Sequence, residues 1–308
     1  MKVVISEFLD SSALDRFRDV APVIAYEPDL WRHPARLRES VHDADALVVR
    51  NQTQVNRAVL TGATRLKAVA RLGVGLDNID VDAAKEKGVR EEWPRGANAI
   101  AGAEFVLLYR NLDAAARHVR EGGWSRLEFG GLEIAGRRLG LVGLGEIGLR
   151  VATRASALGL EVWAADPVRI PDEAAVQENR IRVVPLNELL ASCEILSLHA
   201  PLTSETANLL NRKSLQMVPA GASIVNTARG GLVDSLSLAE ALNSGHIGGA
   251  VLDVTEPEPL PPDHPLRRAP NVWLTPHIAG LTEEAQQRIT SRVAADLRRI
   301  LSINGGGR

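Results

Sequence analysis

Among 308 residues there is one cysteine, Cys193, so no intramolecular disulfide can form. It lies in ASCEILSLH, between a helix end and an apolar strand, where a small buried hydrophobe is expected rather than a reactive thiol. No apolar run reaches the roughly 18 residues that a membrane helix requires. The opening MKVVISEF has no charged start leading into a long apolar stretch and a small-residue cleavage site, so it reads as a first strand and not as a signal peptide. A cytoplasmic location is the expectation. An excess of one charge is also lacking: 36 Lys and Arg stand against 38 Asp and Glu, a formal net charge of -2. Neither nucleic acid nor a membrane surface is therefore an expected partner. A small anionic substrate remains compatible, because a few placed arginines can hold one without changing the total. No metal site is expected, and the tail NGGGR (304–308) is expected to fray.

What is there is alternation. Short β-branched or apolar runs at 2–8, 46–50, 66–72, 137–144, 161–167, 194–199, 222–227 and 249–254 read as strands. Between them, 11–20, 53–61, 146–158, 186–192 and 234–244 carry helical spacing. Strands and helices alternating at these lengths imply βαβ units and an α/β fold. Runs such as GLVGL are apolar on both faces, as in a sheet covered by helices on both sides. We expect two Rossmann-like or flavodoxin-like domains, with mainly parallel sheets and a cleft between them. The first combines 1–97 with 281–308, and the second is continuous over 98–280. ANAIAGAEFVLL is suited to crossing between them, and LTEEAQQRITSRVAADLRRIL reads as an amphipathic helix able to return to the first domain. The chain stops after that helix, so no additional regulatory domain is expected.

The second domain opens with LGLVGLGEIG, which holds Gly143, Gly145 and Gly148 as GxGxxG. Alone the pattern is weak; between an apolar strand and a helix it is a dinucleotide fingerprint. Gly143 permits the tight turn, Gly145 lets the backbone approach a pyrophosphate, and Gly148 allows close helix–strand packing. The amides of Glu146 and Ile147 would face the phosphates from the helix N-terminus. Asp166 ends the next strand, 18 residues after Gly148. There a carboxylate accepts the ribose hydroxyls and repels a 2′-phosphate, so NAD is the expected cofactor. The alternative is an ordinary strand-end Asp capping the turn into Pro167.

Three further segments, NTARGGLVD, LDVTEPEPL and LTPHIAG, each place a polar or charged group after an apolar strand. They supply Arg229, Glu258 and His277. A guanidinium can clamp a carboxylate and polarise an adjacent keto oxygen. An imidazole can pass a proton near neutral pH, and a carboxylate can orient its ring. Each residue has a blander alternative: a surface ion pair for Arg229, a solvated loop charge for Glu258, a turn histidine for His277. His199, at another strand end, reads as structural or as a backbone-level neighbour of the cofactor, and not as the proton donor.

These segments, with ARLGVGLDNID (70–80), ANAIAGAEF (97–105) and LHAPLTSETANLLN (198–211), resemble the D-isomer-specific 2-hydroxyacid dehydrogenase family over nearly the whole chain. The resemblance implies hydride transfer between NAD(H) and a small D-2-hydroxy or 2-keto acid, with His277 as acid–base, Glu258 as its partner and Arg229 on the carboxylate–carbonyl unit. It implies that Asp253 binds the nicotinamide carboxamide and that Ala200, Pro201, Thr206, Thr227, Ala228 and Gly280 line the cofactor. Gly73, Val74 and Gly75 match the family loop whose amides take the substrate carboxylate. Arg50 and Arg71 stand where phosphoglycerate-type members carry arginines, which suits a substrate with a second anion such as phosphate or sulfonate; rim salt bridges are the alternative. KVVISEF and the RNQTQV loop are also similar to sulfolactate dehydrogenase relatives. Hydroxypyruvate and glyoxylate are further candidates, and a homodimer is the expected assembly.

Two departures stand out. Glu91, Glu92 and Trp93 occupy a place where the family has an apolar strand and a small-residue turn, and the span 103–124 is four to five residues shorter than usual. Rival readings are an NAD-sensing scaffold resembling transcriptional corepressors, a formate- or phosphite-type dehydrogenase, and an inactive family member. Formate-type members carry Gln where Glu258 stands.

Overall fold

The computed structural model describes residues 1–73, 75–93, 112–125, 128, 133–167 and 173–303. Val74, the crossing segment 97–108, residues 103–111 of the shortened span, and the tail 304–308 lie outside the described residues.

Contacts divide the chain into two units, Met1–Asn98 with Leu281–Arg308, and Ala99–Gly280. The first unit holds a five-stranded parallel sheet in the order β2-β1-β3-β4-β5. Its strands are β1 (Lys2–Ile5), β2 (Val23–Tyr26), β3 (Ala46–Val49), β4 (Ala68–Arg71) and β5 (Arg90–Glu92). Alternation along each strand feeds two apolar layers. Val3, Ile5, Val48 and Ala70 pack with Phe17 and with Ile289, Val293 and Leu297 of the C-terminal helix Glu283–Ile303. Val4, Leu47, Val49 and Val69 face the other way, onto Val41, Val59 and Leu60. The C-terminal helix thus covers one face of the first unit's sheet, as its amphipathic spacing implied.

The second unit carries seven parallel strands: β6 (Arg138–Val142), β7 (Glu161–Ala165), β8 (Arg182–Val183), β9 (Ile195–Leu198), β10 (Ala222–Asn226), β11 (Ile247–Leu252) and β12 (Val272–Leu274). Their order is β12-β11-β10-β9-β6-β7-β8. The chain starts at β6, runs outward to β8, then returns to β9 on the other side, so the topological switch lies between β6 and β9. Ligands bind beyond the strand C-termini at such a point. Leu139, Leu141 and Ala164 pack on Val151 and Ala155 of the helix Glu146–Ala157. Leu196, Leu198 and Ile224 pack on Leu189, Leu238 and Cys193 across the sheet. Cys193 is fully buried, and that burial pushes its thiol up to about 12.

Eight strands were legible as apolar runs, and all eight are interior. The four that were not, β2, β5, β8 and β12, are the four sheet edges. β5 (REE) and β8 (RV) carry no apolar run, while β2 (VIAY) and β12 (VWL) are apolar but only three or four residues long and partly wetted, as edge strands are. The Glu91–Glu92 departure lies in β5, where the two residues pair with Val69 and Ala70 at the sheet edge and are half-buried. Burial raises the Glu92 carboxyl above the ordinary carboxylate range, and the charge of Asp296 adds to it.

Candidate active site

Every strand of the second unit's sheet is parallel, so the loops after them rise from one edge. The loop after β6 is the glycine turn. Gly143 has φ +96°, and a Cβ there would lie 2.8 Å from the His199–Ala200 peptide. Only glycine permits that conformation and that approach to β9. A Cβ on Gly148 would lie 2.4 Å from the Gly143 carbonyl oxygen, which fixes the close packing of helix on turn. Gly145 is different: nothing lies within 4 Å of a Cβ built on it. Among the described residues no contact demands glycine there, and the open space before the helix N-terminus fits a dinucleotide's pyrophosphate. Glu146 is drawn along its helix toward Arg150, at 3.8 Å. Asp166 follows β7, and its Oδ2 accepts the Leu144 amide at 2.8 Å, so the same side chain also pins the glycine turn.

After β9, His199 is half-buried with Nε2 2.9 Å from Ser197 Oγ, and burial holds its pKa down to about 4. Its ring is therefore neutral near pH 7. Ala200 is buried and Pro201 exposed; Thr206 Oγ1 donates to the Pro201 carbonyl at 2.7 Å, closing the loop as a local turn.

The loop after β10 is clasped by Asn226. This buried side chain accepts from the Ala228 amide at 3.0 Å and donates to the Arg229 carbonyl at 2.8 Å. Thr227, Ala228 and Arg229 are thereby set on a rigid loop, with Arg229 Nη1 donating to the Ala228 carbonyl. Gly230 then packs against the next loop so tightly that a Cβ would lie 2.0 Å from the Thr255 carbonyl carbon. That contact joins the Arg229 loop to the one carrying Glu258.

Asp253, just beyond β11, is 1% exposed. Its Oδ1 accepts from Thr275 Oγ1 at 2.5 Å and the Ile278 amide at 2.9 Å, and its Oδ2 from the Ala279 amide at 2.8 Å. Its carbonyl accepts the His277 amide at 2.9 Å. His277 adopts φ +57°, in the left-handed region. For a residue with a Cβ this is disfavoured by about 1–2 kcal/mol, and the Asp253 clasp offsets it. The ring then meets Glu258: Nδ1 and Oε1 are 2.8 Å apart, with both side chains about two-fifths exposed. A carboxylate on Nδ1 keeps the proton there and leaves Nε2 as the nitrogen that exchanges protons. Gly280 closes this unit.

Arg50, Arg71, Gly73 and Gly75 belong to the first unit. Arg50 directly follows β3 and Arg71 ends β4, with Val49 and Arg71 in register. Asn78 ties the two strand ends together. Its Oδ1 accepts from Arg71 Nε at 3.1 Å, and its Nδ2 donates to the Arg50 carbonyl at 3.2 Å and the Thr53 carbonyl at 2.7 Å. The Arg71 guanidinium lies over Gly73, where a Cβ would meet Nη1 at 2.2 Å. Glu7, 5% exposed, accepts the amides of Arg50, Gln52 and Thr53 at 2.8, 3.1 and 2.9 Å.

Glu7, Asn78, Asn226 and the packing of Gly230 were not singled out from sequence. Their one signal was proximity in sequence to the ends of apolar strands. Among the described residues, no group of three or more His, Cys, Asp or Glu could hold a metal, and no helix is long and apolar enough to cross a membrane.

A parallel sheet with a glycine turn at its switch point defines a dinucleotide-binding α/β class. The sequence model described as "D-isomer specific 2-hydroxyacid dehydrogenase, NAD binding domain" matches residues 103–279. The chain is 41% identical to the (S)-sulfolactate dehydrogenase of Chromohalobacter salexigens, covering 98% of each chain. It is 37% identical to the D-3-phosphoglycerate dehydrogenase of Archaeoglobus fulgidus over 96% of this chain but 56% of that protein. It thus spans little more than half the length of such relatives. A crystal structure of the NAD-dependent formate dehydrogenase of Staphylococcus aureus, in complex with NAD, matches with a TM-score of 0.83 at 30% identity, over 98% of this chain and 96% of that one. This chain belongs to the D-isomer-specific 2-hydroxyacid dehydrogenase family, and its second unit is the family's NAD-binding domain.

Proposed function

We propose that this chain is an NAD-dependent dehydrogenase of a small D-2-hydroxy acid, with a substrate that carries a second anionic group. The observation that carries the reading is the 2.8 Å contact of His277 Nδ1 with Glu258, on loops of the sheet that bears the glycine turn. NAD(H), held at the glycine turn, would supply the hydride chemistry. His277 Nε2 takes the proton of the 2-hydroxyl in oxidation and returns it to the keto oxygen in reduction. Glu258 orients the ring and balances its charged form. Arg229 holds the carboxylate and polarises the C2 oxygen. Gly143, Gly145, Glu146, Ile147 and Gly148 receive the pyrophosphate, and Asp166 the ribose. Asp253, whose oxygens already accept from Thr275, Ile278 and Ala279, would meet the carboxamide, and Ala200, Pro201, Thr206, Thr227, Ala228 and Gly280 would line the cofactor.

Gly73, Val74 and Gly75 are assigned to the substrate carboxylate, and Arg50 and Arg71 to the tail anion. Support for the tail anion comes from two cationic side chains at adjacent strand ends, and from relatives named for phosphoglycerate and sulfolactate. Formate has no tail for these arginines to meet, so the likeness to a formate dehydrogenase does not extend to the proposed substrate. Cytoplasmic location and assembly as a homodimer belong to the same reading. Apolar surface at Val119 and Trp124, 51% and 79% exposed, supports an assembly, which light scattering reads directly.

The test is NADH oxidation with phosphohydroxypyruvate, sulfopyruvate, hydroxypyruvate, glyoxylate and pyruvate. We expect kcat/KM for one of the first two to exceed that for hydroxypyruvate by about tenfold or more, the worth of one well-made charged contact. Absence of oxidation with every 2-keto acid, alongside measurable NAD binding, would point instead to the corepressor-like scaffold.

A further inference from the structure

The guanidinium of Arg50 is held by neutral groups. Nη1 donates to the Phe8 carbonyl at 3.3 Å and Nη2 to Gln286 Oε1 at 3.3 Å. Among the described residues no carboxylate forms an ion pair with it. The nearest acid in its hydrogen-bond network, Glu7, spends its two oxygens on backbone amides, including that of Arg50 itself. This differs from other arginines of the same unit: Arg36 is paired with Glu27, Arg57 with Glu86, and Arg65 with Asp45. A carboxylate at the same distance would orient the guanidinium equally well, but would cancel its charge and compete with an incoming anion. An amide oxygen orients it and leaves the positive charge to the ligand.

Gln286 is placed to do this by its own helix. It lies in the first turn of Glu283–Ile303, and Ala285 and Ile289 on either side of it are buried. The helix anchored by those apolar residues presents Gln286 at the C-terminal end of β3. Glu283 and Glu284 share that turn, yet the residue that meets Arg50 is the uncharged one.

We infer that Gln286 is a specificity-determining positioning residue: it orients Arg50 without neutralising it and so sets the selectivity for 2-keto acids with a second anion. This rests on the tail-anion reading of Arg50 above. The test uses the full chain and measures kcat and KM for sulfopyruvate, phosphohydroxypyruvate and hydroxypyruvate. Gln286→Glu is nearly isosteric and half-exposed, so it puts a carboxylate on Arg50 with little risk to the fold. Its selectivity for the doubly anionic acids over hydroxypyruvate should fall about tenfold, chiefly through KM, as a local unlike charge screens the guanidinium. Gln287→Glu makes the same change in net charge at the neighbouring exposed position and should alter selectivity less than about twofold. Gln286→Met, which removes the acceptor without adding charge, should fall between the two.

Arg50→Ala separates the two readings. If it abolishes the preference while Gln286→Glu leaves it intact, the tail-anion reading stands and the role of Gln286 is wrong. If Arg50→Ala changes nothing, both are wrong, whatever Gln286→Glu does. Equal losses in Gln286→Glu and Gln287→Glu would reduce the effect to general charge and overturn the inference.

Discussion

The two units solve the same mechanical problem alike and the electrostatic problem differently. Each buries one carboxylate beyond a strand and spends it on backbone amides: Glu7 on those of Arg50, Gln52 and Thr53, Asp253 on those of Ile278 and Ala279. A charge in such a position is costly unless hydrogen bonds satisfy it, and three donors do so in each case. The result is a stiff loop carrying Arg50 in one unit and His277 in the other. The functional side chains then part company. His277 is backed by a carboxylate, Arg50 by an amide and a carbonyl. Under the proposed function His277 gains a positive charge in the reaction and benefits from a fixed negative neighbour. A group that must offer its positive charge to a ligand does not.

The sharpest way to break this contrast is at His277, the proposed proton-transfer group. His277→Ala should lower kcat by about 10²–10⁴-fold, the usual worth of a positioned acid–base. NAD affinity, read by fluorescence titration, should stay near wild type; near-normal turnover would remove His277 from the mechanism.

Next comes the shared device. Glu7→Gln and Asp253→Asn each turn an amide NH2 toward a backbone N–H, and each should cost about 1–3 kcal/mol in denaturant unfolding. Their kinetic signatures should diverge. Asp253→Asn should depress kcat, because it loosens the His277 turn, whereas Glu7→Gln should raise KM for the doubly anionic acids. Identical signatures would mean that the two carboxylates hold the fold and nothing more.

The smallest expected effects distinguish packing glycines from ligand-facing ones in the NAD-binding unit. Gly148→Ala forces a methyl against the Gly143 carbonyl and should destabilise by about 1–3 kcal/mol. Gly145→Ala meets open space, so its melting temperature without cofactor should be unchanged while the NAD Kd rises about tenfold. A destabilised Gly145→Ala with unaltered NAD binding would reverse that assignment.

Much of this was legible beforehand, for an identifiable reason. Interior strands such as β6 and β10 are buried on both faces, so their apolar runs announce themselves; β5, with the sequence REE, does not, because an edge exposes half of what it carries. His277 and Glu258 were legible as ionisable groups in LTPHIAG and LDVTEPEPL, and their pairing as what the family resemblance implies. Glu7, Asn78 and Asn226 were not, because a buried polar side chain looks like any surface one until its partners, which for Glu7 lie more than forty residues away, are known.

The order of residues alone determined the α/β alternation, the glycine turn and the candidate residues Arg229, Glu258 and His277, since these depend on local spacing and on chemistry that side chains carry with them. Tertiary structure decided which carboxylate meets His277 and which is spent on amides, and that the Arg50 guanidinium meets an amide and a carbonyl instead of a carboxylate. Electrostatic partnership falls off with distance in space, and distance along the chain does not report it.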